Sequence, residues 1–441
     1  MADSRSISRV IYFLSVILSL ILQIRGRRTL KFVSLVYRHG DRSPFNVYGN
    51  DTNTEDTWPQ GFMQLSQVGM RQQFELGQFL RSRYVGSNFL NSSYSRYQVQ
   101  VLSTDTDRTL MSAQANLAGL FPPAGDQVWN SDIPWQPIPV HTRPANDDVL
   151  LGMPPCPRHD YLTREFQRTD PEYLKMEKDN KDFFEYLALW TGLPEDKMHQ
   201  CIWKLIDSLF CEKTQNRTFP AWATPEVYDK LTELTSFNPQ THSSDNHKAR
   251  IRLRSGPLLG AMVRNMTQAK EGTLPDGRLR VVMYSAHDST VAGLLLALGA
   301  FNHMHPPYCA CVMVELYQED SGNFFVEVWY RNDSAHDPYL LTVPGCPNPC
   351  SYQQFLKATK DSIVMDREKE CQLSIFNRLK RWTSPTIGGV ALMLLLIAIV
   401  LIWTYVRRTR RRRQHSQKLI SEENISLTND DEDDDVDDET L

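Results

Sequence analysis

LKFVSLVYRHGDRSP, residues 30 to 44, decides how this 441-residue chain folds. Its first eight residues, Leu30 to Tyr37, are β-branched and apolar without alternation, the pattern of a strand buried on both faces of a parallel sheet. RHGDRSP then breaks the run. Further out, YQVQVLS at 97–103 leads through TDTD into RTLMSAQANLAGLF, whose apolar positions fit a helix starting near Asp107. RLRVVMYS at 278–285 leads through AHDS into TVAGLLLALGA, again a helix. Three strands that each run into a polar turn, two with a helix behind, predict an α/β fold. We expect an open, mostly parallel sheet with helices on both faces, binding its ligand beyond the carboxyl ends of the strands.

Between these landmarks the texture changes. Residues 143–255 are charged, aromatic and helical, as in EDKMHQCIWKLIDSLFCEK, and read as an inserted helical cap lobe; residues 27–142 and 256–375 make up the α/β lobe. VMVELYQEDSGNFFVEVWYR, 312–331, predicts two strands around Ser321-Gly322-Asn323, an antiparallel edge to the sheet. FNPQTHSSDNH, 237–247, is polar and is expected to be a loop. Asp105 and Asp107 read as turn and N-cap residues.

The compartment follows from two apolar stretches. VIYFLSVILSLIL, 10–22, follows Arg5 and Arg9 and has the length of a signal-peptide core, so residues 1–26 read as a signal peptide. Residues 386–406 carry no charge and suit a bilayer core, with a stalk at 376–385. Arg407 to Arg413 then mark the cytosolic side and a tail, 407–441, too charged to fold. That tail holds seven basic and eleven acidic residues, which account for the net charge of -4 and leave the rest neutral. No basic field remains to suggest nucleic acid. All eight cysteines lie between signal and span, as do sequons at Asn50, Asn91, Asn216, Asn265 and Asn332, so the bulk of the chain is expected to be lumenal or extracellular, disulfide-bonded and glycosylated.

The strand ends bring charged side chains to one place. The first supplies Arg38, His39 and Arg42, the second Arg108, the third His287 and Asp288. Three guanidiniums offer planar, multidentate donors for phosphate and spread transition-state charge over its equatorial oxygens. A histidine among them is kept partly neutral and can attack phosphorus through a ring nitrogen, the role assigned to His39. Asp288 is the carboxyl placed to protonate the leaving alkoxide, which makes activity fall as pH rises. An isolated RHG or HD pair is weak evidence; the joint placement at three strand ends carries the assignment.

RHGDRSP, STDTDRTLMSAQANLAGLFPP, WQPIPVHT and YSAHDST together resemble the histidine acid phosphatases, in particular the animal membrane-anchored group with lysosomal, testicular and prostatic enzymes. The resemblance spans residues 30–371 and the span. It implies a phosphoglycerate mutase-like sheet and a covalent phosphohistidine on His39. A phosphate pocket of Arg38, Arg42, Arg108 and His287 goes with it, with Asp288 as proton donor. It also implies no metal or cofactor, broad phosphomonoester specificity, tartrate inhibition, lysosomal or cell-surface residence as a single-pass type I membrane protein, and a homodimer with Trp135 and His141 near the contact. His141 is otherwise expected away from the pocket's strand ends. The family pairs cysteines, which suggests Cys156–Cys371, Cys211–Cys311 and Cys346–Cys350, and leaves Cys201 and Cys309 to form a conceivable fourth bridge. Related inositol-phosphate and phytate phosphatases often carry His-Ala-Glu where this chain has His287-Asp288. Phosphoglycerate mutases place their acid elsewhere and are cytosolic. A catalytically silent ectodomain is expected to have lost at least one of the six site residues, and this chain keeps them all.

Overall fold

The computed structural model describes residues 28–235, 247–373 and 385–428. The predicted signal peptide, most of the polar 237–247 segment and of the stalk, and the acidic end of the tail lie outside these residues. The first compact unit ends at Gln372. Its sheet runs β2 (Val99–Ser103), β3 (Val281–Ala286), β1 (Arg28–Arg38), β4 (Cys311–Glu319), β5 (Phe324–Arg331) and β6 (Tyr339–Leu341), with β7 (Cys350–Ser351) also on β5. The β2, β3 and β1 strands are parallel, and from β1 outward every pairing is antiparallel. The parallel half carries the three strand ends read from the sequence. The hairpin predicted at 312–331 is β4 and β5, closed over Gly322 at φ +86°.

Burial on both faces explains the unbroken apolar run of β1. Phe32 and Val36 point into one core with Leu258, Leu259 and Met262 of α8 (His247–Glu271) and Val291, Leu294 and Leu295 of α9 (Asp288–Ala297). Val33, Leu35 and Tyr37 point into the other, with Leu76 and Leu80 of α1 (Gln67–Leu80) and Ala113 and Leu117 of α2 (Asp107–Leu120). A third core, including Phe166, Tyr173, Leu205 and Leu209, belongs to the helices α3 (Pro157–Thr169), α4 (Pro171–Asp179), α5 (Lys181–Thr191), α6 (Met198–Thr214) and α7 (Pro225–Leu234). Helix α2 starts at the expected residue, but its N-cap is Thr106, so Asp107 sits in the first turn instead of capping it.

Two disulfides close the C-terminal wrap, Cys156–Cys371 and Cys346–Cys350. The expected Cys211–Cys311 bridge is absent, and Cys201 and Cys309 are also free thiols. Cys211 on α6 faces Arg42 and the Tyr308 hydroxyl, whereas Cys311 and Cys309 are turned into the core beneath α1 and α2. Cys201 packs against the third core. A disulfide needs convergent Cβ vectors, and Cys211, Cys201 and the two sheet cysteines face different surroundings.

By itself, the second unit contains a helix from Pro385 to Thr428. Its stretch Leu392–Leu419 is long and apolar enough to cross a membrane. Contrary to the expectation of an unfolded tail from residue 407, helix continues through the arginine cluster; Arg, Gln, Lys, Leu and Glu are all good helix formers.

Candidate active site

Parallel register aligns the three strand ends. Arg38 is opposite Ala286 and Ser103 opposite Ser285, so His39 and His287 leave neighbouring strands side by side, with ring centroids 5.6 Å apart. The turn after β1 is packed backbone to backbone. A Cβ on Gly40 would lie 2.3 Å from the carbonyl oxygen of Gly69, and one on Gly69 would lie 2.2 Å from that of Asp41, so neither position admits another residue without displacing the turn. Gly40 N–H donates to Ser112 Oγ and Asp41 N–H to Gln72 Oε1. The Asp41 carboxylate accepts from Ser66 Oγ and from Gln215 Nε2.

His39 is 1 % exposed, and its Nδ1 lies 2.8 Å from Gly40 O. A carbonyl only accepts, so Nδ1 carries the hydrogen and Nε2 keeps its lone pair. Burial first, then the charges of Arg38, Arg42 and Arg108, hold this imidazole well below the ordinary histidine range. It is a neutral ring nitrogen surrounded by cations.

The arginines are oriented by separate partners. Arg38 donates from Nη1 to Pro306 O at 2.7 Å, lies over the Tyr308 ring, and pairs through Nη2 with Asp288 Oδ2 at 3.2 Å. Arg42 forms a bidentate pair with Asp207 of α6, at 2.7 and 3.1 Å. Burial alone would lower the Arg42 pKa, and Asp207 more than reverses this. Arg108 donates from Nη2 to His287 Nδ1 at 3.3 Å, which leaves the His287 hydrogen on Nε2, donated to Thr104 Oγ1 at 3.0 Å. Burial and then Arg108 push His287 down to about 3; burial and then Arg42 push Arg108 down to about 10.

Asp288 opens α9, where the helix dipole favours a negative charge. Burial would raise its carboxyl, but Arg38 and His305 outweigh burial and hold it well below the usual carboxylate range. The six residues chosen from the sequence therefore stand together around one centre. Asp207, Tyr308 and His305 join them without having been foreseen. The run HMHPPY, 303–308, just before a strand, was the available sign: two histidines beside a rigid proline pair.

Elsewhere, the His141 side chain is exposed, and its backbone bridges Leu102 beside the carboxyl end of β2, nearer a strand end than expected. Trp135 is half-exposed, as are Val128, Trp129 and Ile133 of the same segment, and Trp129 Nε1 donates to Trp135 O. Among the sequons, Asn50, Asn91 and Asn216 are exposed, with the Asn50 amide donating to Trp190 O, while Asn332 is half-buried and half-buried Asn265 faces buried Tyr284. Among the described residues, no three His, Cys, Asp or Glu side chains cluster as metal ligands.

Comparison with known proteins agrees with this geometry. Residues 29–331 match the Histidine phosphatase superfamily (branch 2). The chain is 43 % identical over 397 residues to the lysosomal acid phosphatase of Xenopus laevis, covering 89 % of this chain and 90 % of that one. Identity to the human lysosomal acid phosphatase is 47 %, covering 79 % and 81 %, and to bovine prostatic acid phosphatase 45 %, covering 78 % and 88 %. Among solved structures, a Hafnia alvei phytase in complex with tartrate superposes with a TM-score of 0.58 at 16 % identity, covering 79 % of this chain and 99 % of that one, a likeness of fold alone.

Proposed function

Because the chain belongs to the histidine phosphatase superfamily, branch 2, we propose that it is an acid phosphatase that hydrolyses phosphate monoesters through a phosphohistidine on His39. The observation that carries this reading is the state of His39: a neutral ring whose Nδ1–H is taken by Gly40 O, leaving Nε2 free to attack, with three arginines around it. Arg38, Arg42, Arg108 and His287 bind the phosphoryl group and stabilise its developing charge. Nε2 displaces the alkoxide, and Asp288 gives that oxygen a proton. Asp288 then takes a proton from the water that attacks the phosphohistidine, so phosphate leaves and both residues are restored.

In the free site Asp288 is ionised by its pairing with Arg38. A bound phosphate competes for the Arg38 donors and adds negative charge nearby. Both effects raise the affinity of Asp288 for a proton, and both favour turnover in acid. We further assign the protein to the lysosomal or cell-surface membrane as a single-pass type I protein, supported by the apolar C-terminal helix and by the relatives' names. The exposed apolar side chains of the segment that holds Trp135, with His141 on the sheet edge, support a homodimer contact. Glycosylation is assigned to Asn50, Asn91, Asn216, Asn265 and Asn332, and exposure favours Asn50, Asn91 and Asn216.

The test is phosphate release from an aryl phosphate as a function of pH, with acid-labile phosphoenzyme trapped by rapid quench. The full chain should turn over best in acid, and His39→Ala should neither turn over nor label. Labelling that persists in His39→Ala would refute the assignment of the nucleophile.

A further inference from the structure

His305 sits where no step above uses it. Its Nε2 is 3.3 Å from Asp288 Oδ2 and its Nδ1 is 3.4 Å from Arg38 Nη1. A guanidinium only donates, so Nδ1 presents its lone pair to Arg38, and the ring hydrogen is on Nε2, aimed at Asp288. Of the three side chains in this triangle, Arg38 is 1 % exposed, Asp288 28 % and His305 57 %. A substrate seated on Asp288 for proton transfer covers the part of the carboxyl now open. The imidazole beside it remains in contact with water.

We propose that His305 is a positioning residue that relays protons between solvent and Asp288, an inference resting on the assignment of Asp288 as the acid. In the free enzyme Asp288 is a carboxylate paired with Arg38, so the proton it donates must arrive after substrate binds. When phosphate draws the Arg38 donors away, His305 Nδ1 is released and takes a proton from a solvent hydronium ion, leaving water. The Nε2 hydrogen passes to Asp288 Oδ2. The ring starts and ends neutral, with its tautomer exchanged. Asp288 then protonates the leaving oxygen as the P–O bond breaks. The attacking water returns a proton to Asp288, and once phosphate has gone and Arg38 swings back, that proton leaves through His305. Imidazole suits this task because one ring nitrogen can accept a proton while the other releases one.

His305→Gln and His305→Ala separate a relay from a prop. Glutamine can still donate to Asp288 but cannot exchange tautomers. Both variants of the full chain, assayed on an alkyl phosphate that needs a protonated leaving group, should lose about tenfold or more in kcat, with KM within about twofold. Turnover of nitrophenyl phosphate, whose leaving group needs no proton, should fall much less, because there the relay serves only the exit of the water's proton. Added imidazole should restore alkyl phosphate turnover to His305→Ala and leave the unaltered enzyme unaffected. Full kcat in His305→Gln, equal losses on both substrates, or no rescue by imidazole would overturn the relay. Asp288→Asn is the control for the premise: both substrates lose the base that activates water, a clearly larger loss on the alkyl phosphate upholds Asp288 as the acid, and equal loss on both overturns the acid and the relay together.

Discussion

Glu212 on α6 is fully buried and faces Asp51 and Asn53 of the loop that follows β1. Burial and then Asp51 push its carboxyl from 4.5 up to about 8. In the unfolded chain Glu212 loses its proton near 4.5; in the folded chain it keeps it far longer. Between these limits the native state binds more protons, so stability falls as pH rises from about 4.5 to 8, with the loss complete above 8. At 1.36 kcal/mol per tenfold, the largest possible cost is about 5 kcal/mol; relaxation and water entry around the two carboxyls bring the expected value to about 2–4 kcal/mol. Glu212→Gln removes the titration and keeps the shape. Thermal midpoints of the full-length protein and the variant should be similar near pH 5, and by pH 8 the unaltered protein should have fallen behind by roughly 3–6 °C. Titrating groups away from the Glu212–Asp51 pair are common to both proteins and cancel in the difference. Parallel curves across that range would refute the reasoning.

Other consequences follow from the site. Asp207→Asn should loosen Arg42, whose guanidinium Asp207 holds by two hydrogen bonds, and raise KM and the inhibition constant of phosphate by roughly tenfold, about 1.4 kcal/mol; unchanged phosphate inhibition would count against a binding role for Arg42. For an alkyl phosphate, kcat/KM reports the free enzyme, in which Asp288 is held low, while kcat reports the complex, in which phosphate occupies Arg38. The alkaline limb of kcat should therefore lie at higher pH than that of kcat/KM, and the reverse order would contradict the proposed exchange of partners. Gly69→Ala should destabilise the protein by about 1–3 kcal/mol and depress kcat as well, because the added carbon meets the Asp41 backbone; thermal unfolding and a steady-state assay at a permissive temperature would check both.

The parts of this molecule that were legible in the sequence are those encoded locally. The β1 run reads as a doubly buried strand because Phe32 and Val36 serve one core while Val33, Leu35 and Tyr37 serve the other. His39, Arg108 and His287 were legible because each directly follows such a strand or opens the helix behind it. Asp207 was not, since it lies in the middle of an amphipathic cap helix and meets Arg42 only through tertiary packing. His305 approaches Asp288 from a loop, and loops carry no periodicity to place a side chain. The Cys211–Cys311 expectation came from kinship. Local geometry turned Cys211 toward Tyr308 and left Cys311 in the sheet core.

The contact between Gly40 and Gly69 bears on how variants of this protein are read. In the linear sequence Gly69 is an unremarkable position in the first turn of a helix, 30 residues from the nearest reactive side chain, and a scan ranking changes by polarity or charge would score its replacement by alanine or serine as mild. In three dimensions it touches the backbone that aims His39. A missense change there would have the phenotype of a catalytic-site lesion, and a compensating change at Gly40 could not relieve it, because each glycine already lacks the only atom it could give up.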